Sequence, residues 1–184
     1  RLTDAHFREL EDSRELNIGL PVQGIGSFRL SAFLQRGSIS AVVRFIPHDI
    51  PKLDALHLPE ILKDLVMERR GLILVVGAAG SGKSTTIASM IDHRNELITG
   101  HVLTFEDPIE FLFRNKKSII NQREIGSDAR TLQVALRSAM RQAPDVILIG
   151  EVRERETMDY AVSFAETGHL CLATLHANST NQAL

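Results

Sequence analysis

The 184 residues are 43% hydrophobic, carry a net charge of −2 with an isoelectric point of about 6.4, and include a single cysteine, Cys171. That content suits one or two compact domains with a real core, excludes an internal disulfide, and gives no overall basic footprint for a nucleic-acid partner. No apolar run approaches the roughly 20 residues of a membrane span, so the composition reads as a soluble protein of a reducing, intracellular compartment. The chain opens at Arg1 without a methionine and stops at Leu184 inside what reads as a starting helix, so we read it as a fragment.

Residues 1–14 are polar with a weak helical pattern at Leu2, Phe7 and Leu10. Residues 15–47 differ in kind. Segments 28–34 (FRLSAFL) and 38–46 (SISAVVRFI) flank Gln35-Arg36-Gly37, which predicts an antiparallel hairpin in a small β-rich domain. Pro47 and Pro51 interrupt the chain through residue 58, which places a boundary between a first domain and linker over 1–58 and a second domain over 59–184.

Pro59 is placed to open a helix as its first residue, with Ile61, Leu62, Leu65 and Val66 as the buried stripe and Gly71 as its stop. A buried strand over 72–76 and a helix over 83–98, ended by Gly100, follow; Ile87, Met90, Ile91 and Leu97 recur on that helix at helical spacing. A second strand covers 102–105, and 106–130 reads as loop with a hairpin around 118–121. Helix 130–142 buries Leu132, Ala135, Leu136, Ala139 and Met140, and Pro144 stops it. A third strand covers 146–149. Met158, Ala161, Val162 and Ala165 line the next helix, Gly168 caps it, and the fourth strand is 170–175. Strands and helices alternating at this interval predict an α/β fold on a parallel sheet, with active residues at the carboxyl ends of the strands.

Between the first strand and its helix stands Gly77-Ala78-Ala79-Gly80-Ser81-Gly82-Lys83-Ser84-Thr85, which fits G-x-x-x-x-G-K-[ST] in the strand-to-helix setting the motif requires. Its glycines let backbone N–H groups turn toward a polyphosphate at a helix N-terminus. Lys83 would reach the β/γ-phosphates and Ser84 would ligate Mg²⁺, so the pattern implies a nucleoside triphosphate.

The remaining strands also end in polar residues, on the edge where this loop sits: Glu106-Asp107 after the second, Gly150-Glu151-Val152-Arg153 after the third, His176-Ala177-Asn178 after the fourth. A carboxylate there can orient or deprotonate an attacking water, another can hold Mg²⁺ through water, and an imidazole can sense the γ-phosphate. Taken singly, Glu106 with Asp107 before a proline suits a helix cap or solvated turn, and His176 suits an ordinary surface histidine. Glu151 after Val-Ile-Leu-Ile-Gly matches a Walker B element except that Gly150 stands where an aspartate is usual, which weakens direct carboxylate ligation of Mg²⁺. His169, Cys171 and His176 lack zinc-ligand spacing, and Cys171 reads as a small buried hydrophobe. Arg29, Arg36 and Arg44 on the hairpin solvate a sheet face unless the protein forms a ring, where a neighbour's arginine can steady γ-phosphate charge.

Together the hairpin, the P-loop, residues 101–112 (HVLTFEDPIEFL), 144–153 (PDVILIGEVR) and 168–179 (GHLCLATLHANS) resemble the PilT/PilU class of type IV pilus retraction ATPases, within the secretion ATPase superfamily. The wording of 151–160 (EVRERETMDY) is closer to the PilU branch. The resemblance implies a RecA-like P-loop ATPase core preceded by a partial PAS-like domain, with ATP and Mg²⁺ between them. It also implies a cytoplasmic homo-hexamer at the inner face of the membrane, each N-terminal domain packing on its neighbour. By the same resemblance Glu106 is the catalytic glutamate, Glu151 the Walker B acid near Mg²⁺ and His176 the γ-phosphate sensor. Arg29, Arg36 and Arg44 align with arginines of which some contact phosphates. The implied activity is ATP hydrolysis driving pilus retraction and twitching motility, with an inner-membrane platform protein and a paralogous retraction ATPase as partners and no nucleic acid. An assembly ATPase of type II secretion or pilus extension, or an accessory ATP-binding subunit, are the alternatives.

Overall fold

A computed structural model describes residues 2–22, 25–46 and 49–176. The chain divides into two compact units, Arg1–Asp49 and Ile50–Leu184. Residues 50–58, grouped with the first part by their prolines, fall in the second unit, where Leu53 is buried with Val66, Ile87 and Met90.

In the first unit a helix, α1 (Asp4–Ser13), precedes a three-stranded antiparallel sheet of β1 (Glu15–Val22), β2 (Gly26–Gln35) and β3 (Ser38–Ile46) in that order. The hairpin expected from sequence is present. Its two-residue turn puts Arg36 at φ 50° and Gly37 at φ 79°, the left-handed pair that matches strand twist. Leu10, Leu16 and Ala32 are the buried core of this unit, with Ile18 against them.

The second unit is a five-stranded, wholly parallel sheet in the order β4 (Gly71–Val76), β8 (Leu170–Leu175), β7 (Val146–Val152), β5 (His101–Glu106), β6 (Ile119–Glu124). Period-two alternation splits its strands between two cores. Leu103, Phe105, Ile147, Ile149, Cys171 and Ala173 face α4 (Leu132–Ala139) and α5 (Arg155–Glu166). Val102, Val146, Leu148, Leu170 and Leu172 face α2 (Ile61–Met67) and α3 (Lys83–Leu97). Both faces of β5, β7 and β8 are covered, which is why these strands read as unbroken apolar runs, whereas the edge strand β4, expected to be buried, is half-buried along its whole length.

Four local expectations are corrected. Segment 118–121 is no hairpin: β6 runs parallel to β5 with Ile119 opposite His101, an edge strand that exposes Ile119 and Asn121. On α2 only Val66 is fully buried, while Ile61 and Leu65 are 55% and 38% exposed, because so short a helix against α3 uses a narrower stripe than four apolar residues offer. Helix α2 has Glu60, one position after Pro59, at its N-cap position and Glu68 at its C-cap position; Gly71 opens β4 instead, at φ 136°. Leu97, Met140 and Val162 are exposed, and Phe164 takes the place expected of Val162 on α5.

Helix α3 buries polar residues as well as apolar ones. Ser89 Oγ donates to the Pro51 carbonyl at 2.7 Å, Arg94 Nη1 to the carbonyls of Val66 and Glu68 at 2.6 and 2.9 Å, and Asn95 Nδ2 to that of Arg114 at 2.8 Å. Lys116 Nζ donates to Asp92 Oδ1 at 2.6 Å. Each buried polar group has a partner, so the helix that begins at the P-loop is pinned along its length.

Candidate nucleotide site

The loop between β4 and α3 turns on two left-handed glycines, Gly80 at φ 73° and Gly82 at φ 92°, the latter capping α3. A Cβ on Gly77 would lie 2.6 Å from Ser81 Oγ, so the first glycine leaves room for the Ser81 hydroxyl to fold back against the start of the loop. Lys83, the first residue of α3, is buried, and its Nζ donates to the carbonyls of Gly77 and Ala78, both at 2.9 Å. His176 Nδ1, just past β8, stands 3.3 Å from the same nitrogen.

Glu106 ends β5 on the face that also carries Thr104 and Val102, turned toward α3. Its Oε1 accepts from Thr104 Oγ1 at 2.6 Å and from Gln122 Nε2, on the neighbouring β6, at 3.1 Å. Burial pushes this carboxyl above its ordinary range, and the hydrogen bonds from Thr104, Gln122 and the Glu110 backbone pull the other way. A carboxylate so placed is a base that is basic because it is dry and ordered because it is held.

Glu151 leaves β7 beside it. Its Oε2 accepts from Arg153 Nε and Nη2 at 2.8 and 2.7 Å, and its Oε1 lies 3.3 Å from His176 Nε2. Arg153 Nη1 is also 4.0 Å from Asp107 Oδ2. His176 therefore bridges the P-loop lysine and the β7 acid with its two ring nitrogens. At Gly150 a Cβ would lie 3.1 Å from both Glu106 Cα and the Phe105 carbonyl. No aspartate fits there without moving β5, so Glu151, after the register shift that follows Ile149, brings the acid to the site. Thr174 Oγ1 donates to the Gly150 carbonyl and ties β8 to this bend.

Lys83, Glu106, Glu151 and His176 line one cavity of about 410 Å³, together with Ser84 and Thr85 of the loop and Phe111 and Phe113. Ser84 and Glu151 share it, one hydroxyl and one carboxylate, and among the described residues no cluster of three acids, histidines or cysteines could cage a metal. That donor set fits Mg²⁺ held largely by water and phosphate oxygens. The three arginines lie in the first unit: Arg29 and Arg44 are paired across β2 and β3, and Arg36 sits at the turn. Ala177, Asn178 and Ser179 of the last motif, and Pro47, lie outside the described residues.

Two contributors were not identified from sequence. Thr104 had a signal, since it stands two residues before Glu106 on the same strand face. Gln122 had none, because only the parallel pairing of β6 brings it to the site.

The family model described as Type II/IV secretion system protein matches residues 10–184. The chain is similar to the type IV pilus ATPase PilU of Pseudomonas aeruginosa, 55% identical over 183 residues covering 100% of this chain and 48% of that protein. It is also similar to the type IV pilus retractation ATPase PilT of that organism, 42% identical over 100% of this chain and 53% of that protein. The crystal structure of the pilus retraction motor PilT with bound ADP superimposes with a TM-score of 0.92 at 48% identity, covering 96% of this chain and 52% of that one. The chain thus spans about half the length of the curated relatives it matches.

Proposed function

The chain belongs to the type II/IV secretion system protein family, and on that premise we propose that it is the nucleotide-hydrolysing part of a type IV pilus retraction motor. One observation carries the reading: the P-loop, Glu106, Glu151 and His176 line a single cavity at the carboxyl edge of the sheet. The ADP held by the PilT relative supports a nucleotide as its occupant.

ATP would lay its phosphates across the backbone of residues 77–85, with Lys83 exchanging the carbonyls of Gly77 and Ala78 for β- and γ-phosphate oxygens. Ser84 and Glu151 would hold Mg²⁺, which when bound neutralises phosphate charge. Glu106 orients a water in line with the γ-phosphate and takes its proton. His176, joined to Lys83 on one side and Glu151 on the other, would shift toward a γ-phosphate and reset on its loss. Arg29, Arg36 and Arg44 would complete the charge from a neighbouring subunit of a hexamer, which passes force to a membrane platform protein.

ATP turnover by the full-length protein tests the chemistry: Lys83→Ala should abolish it. Twitching and surface pili test the direction of force. A strain carrying Lys83→Ala should keep its pili and lose twitching, whereas loss of the pili themselves would mark an assembly motor.

A further inference from the structure

Gln122 uses both polar atoms of its side chain on residues that line the nucleotide cavity. Nε2 donates to Glu106 Oε1 at 3.1 Å and to the Phe111 carbonyl at 2.9 Å, and Oε1 accepts the Phe113 N–H at 2.9 Å. Phe111 and Phe113 themselves line the cavity. With Thr104 Oγ1, this puts two donors on one oxygen of Glu106. Two donors on one oxygen fix the rotation of a carboxylate, so the other oxygen keeps a constant direction.

We infer that Gln122 is a positioning residue for ATP hydrolysis, aiming the Glu106 carboxylate and tying it to the strap of residues 111–113 that walls the cavity. The inference rests on the reading of Glu106 as the group that activates water. An amide suits the position because it donates twice and accepts once; an ionised carboxylate of the same size donates nothing, and asparagine is a methylene short. Any shift of the strap on nucleotide binding passes through this side chain to the base, so the aim of Glu106 depends on the wall being in place. Asn121, its neighbour on β6, hydrogen-bonds His101 instead and takes no part.

Steady-state ATP turnover of the full-length protein tests this with Gln122→Ala, Gln122→Glu, Glu106→Gln and the Glu106→Gln/Gln122→Ala pair. A misaimed base should lower kcat by about tenfold or more while KM for ATP changes less than about threefold. Gln122→Glu keeps the size and the acceptor for Phe113 N–H yet loses both donors, so it should fall as far even if the alanine variant is poorly folded. In the Glu106→Gln background, Gln122→Ala should change nothing further, since a residue acting through another is silent once that other is gone. Wild-type turnover by Gln122→Glu, or a defect that multiplies in the double variant, would overturn the inference while leaving Glu106 in its role. Wild-type turnover by Glu106→Gln would remove that role and this inference together.

Discussion

Burial of Glu106 sets stability against chemistry. Its carboxyl is pushed above the ordinary value of 4.5 by desolvation, so the folded protein binds a proton there that the unfolded chain has already released. Between the unfolded and the folded pKa the native state therefore gains stability as pH falls. Above the folded pKa the full cost of a buried charge is present. Glu106→Gln removes that cost, so it should raise Tm near pH 8 while lowering turnover, and the gap in Tm should narrow on acidification and close below the ordinary carboxylate range. Thermal melts of both proteins across that range check it; a gap that is constant or grows toward acid would mean the carboxylate is not strained by its surroundings. At this scale the gathering of the P-loop, Glu106, Glu151 and His176 at one edge was legible from sequence, because each stands at the end of an apolar run. Thr104 and Gln122 were less so, since a hydroxyl and an amide have no motif of their own and matter only through the carboxylate they hold.

Between elements, the close approach of β7 to β5 explains why Gly150 replaces the usual acid. A methyl group there meets two backbone atoms of β5, and backbone cannot step aside as a flexible side chain can. Gly150→Ala should cost about 1–3 kcal/mol as an overpacked site does and should lower ATP turnover by displacing Glu106. Denaturant melts alongside turnover measure both; unchanged stability with wild-type turnover would show that the strands have slack. The strands buried on both faces could be read from their runs of Leu, Ile and Val. β6 could not, because at the sheet edge its Asn121-Gln122-Arg123-Glu124 carries polar groups toward the site and solvent and leaves no apolar run to recognise. The polar residues of α3 were opaque for a related reason: Arg94 and Asn95 look solvated in sequence, yet each is buried against carbonyls supplied by distant segments.

For the molecule as a whole, the division into two units separates the P-loop site from the hairpin arginines along the chain. Arg29 and Arg44 sit opposite each other on neighbouring strands of the first unit. If those side chains serve a neighbour's phosphates, Arg44→Ala should lower ATP turnover in assembled full-length protein and leave dilute, unassembled protein unaffected. Turnover measured across protein concentration checks this, and an equal loss in the monomer would place the effect within one chain.

On the function proposed, Glu106 activates water against a phosphate held by the loop through Lys83. The nucleotide retained by the Glu106→Gln variant after incubation with ATP, extracted and identified, tests it most directly. Intact ATP, held for as long as wild-type protein takes to turn over many equivalents, is the expected result. ADP formed at the wild-type rate would contradict the account.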